Sequence, residues 1–198
     1  MTTKPKATIS DLSSLPDLSS ALTAAAALLG WMLIHDSPDG LTAGYIVETE
    51  AYMADDAASH TFRGESARNK IMFGPPGYLY VYFTYGMHYC VNIVTSKTGN
   101  GEAVLIRALQ PMDGIELMRK RRNKQVDLEL ASGPAKMAQA MGINKTHNGA
   151  SLLGKDGFTL KPGPAPKQIT QTTRVGISQA KNKLWRFYIT DNPYVSKK

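Results

Sequence analysis

The chain is poor in cysteine, in acid and in long apolar runs, and each shortage excludes something. Cys90 is the only cysteine among 198 residues, so no intramolecular disulfide can form and the reducing cytoplasm is the expected compartment. The four histidines and Cys90 never fall at the spacings zinc sites use, and no metal is expected. Neither a P-loop nor a G-x-G-x-x-G string occurs, which removes the common nucleotide-cofactor signatures; no cofactor is expected. The apolar run from Ala21 to Ile34 is too short to cross a bilayer as a helix. Asp11 and Asp17 precede it and no small-residue cleavage site follows, so it does not read as a signal segment, and no membrane partner is expected. Acid is the last shortage. Asp and Glu total 16 against 23 Lys and Arg, giving +7, a balance that favours a polyanionic partner.

What remains is ordinary globular material: 42% hydrophobic and 20% charged residues can bury a core, and the length suits one domain. Residues 1–16 mix Lys, Thr, Ser and Pro and read as a loosely ordered arm, leaving 17–198 as a single domain. Asp17 or Ser19 is placed to cap an alanine-rich helix that ends at Gly30. Trp31 to His35 and Gly44 to Tyr52 read as strands around the turn Ser37-Pro38-Asp39-Gly40. Met53 to Pro76 has no period and reads as a long irregular connection, a kind of segment that often carries function. Tyr78 to Thr84 and His88 to Thr95 form a second hairpin around Tyr85-Gly86, and Ala103 to Leu109 an apolar strand. Gly114 to Lys124 and Gly133 to Met141 look helical. A Pro-rich linker, Lys161 to Pro166, leads to a last strand, Leu184 to Thr190. Antiparallel hairpins with a few helices make an α+β fold.

The chemistry-bearing residues are concentrated between Ile46 and Asn92. Period-two geometry puts Ile46, Glu48, Glu50 and Tyr52 on one strand face and Val47, Thr49 and Ala51 on the other. An acid beside an aromatic ring can deprotonate a water and stabilise positive charge developing nearby; spacing alone does not choose between Glu48 and Glu50, and a solvated acid on an outer face has the same pattern. His60, in the irregular segment, is either a hydrogen-bonded structural group or part of a site. Tyr78, Tyr80 and Tyr82 share a face, and five of the nine tyrosines lie in the hairpin. Tyr85 falls at its tip, where a large ring packs poorly; a rigid wedge there suits prying open a base step. Arg119 to Arg122 with Lys124 is a charge run that reads as a solvated face or, through Arg121 and Arg122, as a phosphate contact. Gly133-Pro134-Ala135-Lys136 opens a helix either as a plain cap or as an anion contact at Lys136.

Strings along nearly the whole chain after the arm resemble the alkyladenine (3-methyladenine) DNA glycosylase family. They are VETEAY (Val47 to Tyr52), the His60 region running into ARN (Ala67 to Asn69), Met72-Phe73, PGYLYVYFTYGMHYCVN (Pro76 to Asn92), VLIRALQP (Val104 to Pro111), SGPAK (Ser132 to Lys136), RVGIS and WRFY. The resemblance implies one mixed domain around a curved antiparallel sheet with a protruding hairpin. It further implies a monomeric repair enzyme, without cofactor, that flips a damaged purine from double-stranded DNA and hydrolyses its N-glycosidic bond. On that resemblance Glu50 activates the water beside Arg107, and Tyr52, His60 and Tyr82 sandwich the base. Asn92 excludes undamaged guanine by bulk, and Tyr85 fills the vacated stack. The implied lesions are 3-methyladenine, 7-methylguanine, hypoxanthine and ethenoadenine. Leu184 stands where a proline often precedes WRFY. A non-catalytic nucleic-acid-binding module would use the same cations and aromatics, but has no use for an acid aimed into a base pocket.

Overall fold

The computed structural model of the chain describes residues 12–84 and 86–197. Eight strands form one curled antiparallel sheet, with three helices packed on it: β1 (Met32–Ser37), β2 (Gly40–Tyr52), β3 (Leu79–Thr84), β4 (His88–Thr95), β5 (Glu102–Asp113), β6 (Phe158–Lys161), β7 (Ile169–Thr172) and β8 (Arg186–Ile189), with α1 (Ala21–Ala27), α2 (Ile115–Arg122) and α3 (Pro134–Ala140). The strand order is β3-β4-β5-β2-β1-β6, with β8 joining β2 and β7 joining β8. The α+β expectation is met by this single sheet.

β2 is the axle. One edge pairs with β5 throughout, while the other pairs first with β1 and then, from Glu48 to Glu50, with β8. The Pro38-Asp39 reversal closes the β1–β2 hairpin, Ser37 pairing with Gly40 and its hydroxyl donating to the Gly40 carbonyl at 2.8 Å.

The two faces of the sheet differ in chemistry. On one, Ile46, Ala51, Val91, Ile93, Val104 and Ile106 join Ala21, Ala24, Ala25 and Leu28 of the α1 region and Met137 and Met141 of the α3 region in the main core. At seven residues α1 is too short to persist alone. Its alanine stripe instead lets the backbone lie close against β2, where the Thr49 hydroxyl donates to the Ala25 carbonyl at 2.7 Å. Fully burying Leu28 adds about 1.5–3 kcal/mol. The helix is capped by Ser20, one residue beyond the expected Ser19, and its first free amide, Ala21 N–H, donates to the buried Glu102 carboxylate at 2.9 Å. Gly30 follows with φ +84°; a Cβ there would stand 2.4 Å from the Pro164 carbonyl oxygen, because the Pro-rich segment after β6 runs against it.

Of the expected arm, Leu12–Ser14 form an exposed 3₁₀ turn and Leu15 is buried in the main core; residues 1–11 lie outside the described part. β6 and β7 have no counterpart in the sequence reading, and the Lys161–Pro166 segment connects strands within the domain. Among the described residues no helix is long and apolar enough to cross a membrane.

Candidate active site

The second face of the sheet is built from the residues left over by the core alternation: Tyr80 and Tyr82 of β3, Cys90 and Asn92 of β4, Leu105 and Arg107 of β5, and the end of β2. The long connection 53–77 and the loop 174–179 cover it, enclosing a cavity of about 470 Å³. Tyr52, His60, Tyr82, Asn92 and Arg107 all line it.

Two irregularities aim this wall. Between Ile46 and Thr49 the β2–β5 register slips at Val47 and slips back at Arg107, each strand contributing one extra residue. Such bulges turn side chains that strict alternation would leave facing elsewhere. Ile46 consequently joins the core on the α1 side, whereas alternation groups it with the acids; Glu48, Glu50 and Tyr52 keep their shared face. Arg107, the extra residue in β5, reaches both acids.

Glu48 and Glu50 are fully buried, yet their surroundings differ. Glu50 Oε1 accepts from the Val175 N–H at 2.7 Å and lies 3.3 Å from Arg107 Nη1; Oε2 accepts from the Tyr52 hydroxyl at 2.9 Å. All three partners line the cavity. A carboxylate offers about four acceptor positions, so one remains, on Oε2 beside Tyr52. Glu48 Oε1 instead takes Arg107 Nε at 3.1 Å and Arg186 Nε at 2.7 Å, and its Oε2 takes the Ser196 N–H at 2.7 Å. Of those partners only Arg107 reaches the cavity. Position distinguishes the two acids that spacing left alike: Glu50 stands directly behind the wall of the cavity, and Glu48 behind Arg107.

The aromatic wall is a corner rather than a set of parallel plates. His60 meets Tyr82 edge-on, with centroids 4.5 Å apart at 72°, so no ring fits between these two and the open space lies toward Tyr52. Tyr80, buried behind them, stacks on Tyr82 at 5.4 Å and holds His60 Nδ1 through its hydroxyl at 2.9 Å. Burial, aided by the Glu50 charge, pushes the Tyr52 phenol far above its ordinary value, so it stays a donor to Glu50. Burial likewise raises Tyr82, beside Cys90. His60 is lowered by burial and by the nearby Arg68 cation, which leaves it neutral near pH 7. Asn92 donates to the Tyr80 carbonyl at 3.1 Å, which fixes its amide in the wall.

Several participants were not singled out by sequence reasoning. Arg174 is fully buried, paired through both terminal nitrogens with Asp56, donating to the Ala51 carbonyl at 2.9 Å and lying 4.7 Å from the Tyr52 ring centroid. It therefore fixes both Tyr52 and the neighbouring Val175 N–H that holds Glu50. Arg68 lies 5.7 Å over the Tyr82 ring at the cavity margin. The only prior sign of Arg174 and Arg186 was that RVGIS and WRFY contain them.

Arg121 and Arg122 are not brought to this site. The Arg121 guanidinium donates to the Ala140 carbonyl and the Ser37 hydroxyl, each at 3.2 Å, and fills the space over Gly142. Arg122 donates to the Leu130 carbonyl at 3.1 Å and to Gln139. Ser37 lies at the turn that opens β2, and ten residues of strand, roughly 30 Å, separate that turn from Glu50. These cations bind α2 to α3 and to the β1–β2 turn. Lys136 is exposed on the first turn of α3, whose Pro134 lines the cavity rim. Tyr85 lies outside the described residues. Its hairpin carries Phe83 and Met87, 48% and 70% exposed, beside Thr84 of the cavity wall.

The family described as Methylpurine-DNA glycosylase (MPG) matches residues 17–193. A Carboxydothermus hydrogenoformans protein named "Putative 3-methyladenine DNA glycosylase" is 49% identical over 173 residues, 86% of this chain and 91% of its own length. Proteins of the same name from Methanoculleus marisnigri and Francisella tularensis subsp. tularensis are 49% and 48% identical, each over 89% of this chain and 94% of its own length. The matched residues run from before α1 to beyond β8 and so include β2, β5 and both loops that close the cavity: this chain belongs to the methylpurine-DNA glycosylase family.

Proposed function

We propose that the protein is a monofunctional DNA glycosylase that takes a damaged purine nucleotide out of duplex DNA into the cavity and hydrolyses its N-glycosidic bond. The observation that carries this reading is the buried Glu50 carboxylate, held by three groups that all line the cavity, the Tyr52 hydroxyl, the Val175 N–H and the Arg107 guanidinium. A water at that carboxylate gives its proton to Glu50 as its oxygen bonds to C1′ of the extruded nucleotide. The C1′–N bond breaks, and its electron pair leaves with the base. Alkylation at a ring nitrogen makes the purine cationic and a good leaving group, so one carboxylate suffices where sugar hydrolases use two. The negative charge of Glu50 opposes the positive charge that develops on the sugar.

Base recognition falls to Tyr52 on one side and the His60–Tyr82 corner on the other, faces that attract a cationic ring. Asn92, held by the Tyr80 carbonyl, occupies the place where an exocyclic amino group would crowd it. On this reading 3-methyladenine and 7-methylguanine are substrates, and hypoxanthine and ethenoadenine enter by shape rather than charge. Tyr85 serves as the wedge of the protruding hairpin, Lys136 holds a phosphate at the rim, and the enzyme works as a monomer.

A non-catalytic nucleic-acid module is the competing reading. Incubation with methylated duplex DNA separates them: the glycosylase releases free purine and leaves alkali-labile abasic sites, whereas a binder retains the duplex intact. Retention without release would overturn the proposal.

A further inference from the structure

We propose that Glu48 is a positioning residue for hydrolysis: it holds Arg107 by Nε so that only one corner of that guanidinium reaches Glu50, which keeps an acceptor position of the base open for water. The inference rests on the reading of Glu50 as the water-activating group.

The guanidinium of Arg107 is divided among three partners. Its Nε donates to Glu48 at 3.1 Å, Nη1 lies 3.3 Å from Glu50 Oε1, and Nη2 donates to the Ser196 hydroxyl at 3.3 Å. This is not the geometry an arginine chooses with a lone carboxylate. Left to itself the planar fork engages both oxygens in two parallel bonds. Against Glu50, such a fork would take the remaining position on Oε2. Glu48 prevents this by competing for Nε from the next residue on the same face, brought there by the paired register slips at Val47 and Arg107.

Glu48 can compete because it is itself immobilised. Arg186 Nε at 2.7 Å and the Ser196 N–H at 2.7 Å fix its two oxygens. Arg186 in turn donates to the Lys197 carbonyl, so β8 and the segment Val195–Lys197 clasp the carboxylate from outside the cavity. The side chains facing Glu50 and its partners are Arg107 from β5, Glu48 and Tyr52 from β2, Arg186 from β8, Cys90 from β4 and Arg174 behind Tyr52. Glu48 and Glu50 balance Arg107 and Arg186, and Asp56 balances Arg174. Segment 195–197 is thus a working part of a site whose cavity it does not line.

The test compares single-turnover purine release with affinity for the lesion duplex in wild type and Glu48→Gln. Gln is nearly the same size but uncharged, and its single acceptor oxygen cannot serve both the two guanidiniums now on Oε1 and the Ser196 N–H now on Oε2. Release should slow by about tenfold to a hundredfold, the cost of misplacing a reacting group by about 1 Å, while the dissociation constant stays within about twofold, because Glu48 touches no part of the cavity. A folded Glu48→Gln protein with wild-type release rate overturns the proposal. Should that variant not fold, Ser196→Pro, which removes the N–H on Glu48, decides when read against Ser196→Ala, which loses only the hydroxyl that faces Arg107: release slower in the proline than in the alanine variant by about threefold or more at unchanged affinity supports the clasp, and equal release in the two overturns it. Wild-type protein that releases no purine at all refutes the glycosylase reading itself, a separate outcome from active wild type with indifferent variants.

Discussion

Replacing Glu50 by Gln keeps shape and removes charge, and the surroundings dictate how the amide must sit. The Val175 N–H is a donor at 2.7 Å from Oε1, so the Gln carbonyl has to take that side and the NH₂ must turn toward Tyr52. The Tyr52 hydroxyl then accepts instead of donating, and the position beside it, which a water needs as an acceptor, becomes a donor. A water there can be held but not deprotonated. Loss of a general base typically costs ~10²–10⁴ in rate, which at about 1.36 kcal/mol per tenfold is roughly 2.7–5.4 kcal/mol of transition-state stabilisation. Stability changes less than the burial of the ion pair would indicate. Removing one partner of a buried pair costs about 3–5 kcal/mol when the other is left alone, but Arg107 retains Glu48. The loss should be nearer the ~1–3 kcal/mol of a mismatched buried hydrogen bond, and a domain with about 5–15 kcal/mol of stability remains folded. Single-turnover release from methylated duplex DNA, read beside affinity for the same duplex, is the decisive assay: binding equal to or tighter than wild type, with release down at least about a hundredfold. A folded Glu50→Gln protein releasing purine within a few-fold of wild type would falsify the assignment of the base.

Three other expectations follow from named contacts. His35 is buried, its Nδ1–H donates to the Met141 carbonyl at 2.7 Å, and its ring stacks on Phe158; burial holds its value below the ordinary one, so the unfolded chain binds the extra proton first and stability falls as pH drops below about 6.5. The melting temperature should therefore decline from pH 7.5 to 5.5 and decline less in His35→Gln, and equal slopes in the two proteins would remove His35 as the cause. Asn92→Ala frees space at the cavity wall, and release of undamaged guanine relative to 7-methylguanine should rise by about tenfold or more; an unchanged ratio would end the bulk argument. Lys136→Gln should lower the slope of log affinity against log salt by ~0.9, whereas Arg121→Gln should lower melting temperature and leave that slope alone, and a reduced slope in Arg121→Gln would return that residue to the DNA interface.

Much of the fold was legible because its elements are long and regular. The β1–β2 and β3–β4 hairpins follow from alternation around Pro38-Asp39-Gly40 and Tyr85-Gly86, and α3 from a proline at its first position. β6 and β7 were not legible. Each has four residues, and β7, with its half-exposed ITQT, carries no apolar run to distinguish it from a polar loop. The cap of α1 shows a finer limit: Asp17, Ser19 and Ser20 all have capping side chains, and what selects Ser20 is the phase in which Ala21, Ala24, Ala25 and Leu28 meet the sheet.

At the site, the residue types were visible and their assembly was not. A strict period of two cannot register an inserted residue, which is why Ile46 was grouped with the acids when the slip at Val47 sends it to the core. The partners that define each acid come from far along the chain: Val175 is 125 residues from Glu50, and Arg186 and Ser196 are 138 and 148 residues from Glu48. No local pattern links such pairs, and a buried, fully partnered carboxylate looks the same in sequence as one facing water. The arginine run makes the same point from the other side. Arg121 and Arg122 were read as solvated or phosphate-binding, the two fates local charge density offers, and the fold gave them a third by wedging them between α2, α3 and a turn. The proposed division of labour between Glu48 and Glu50 therefore rests on the assembled sheet: two identical side chains, two residues apart, share Arg107, but the other partners of Glu50, Tyr52 and Val175, line the cavity, whereas those of Glu48, Arg186 and Ser196, stand behind it.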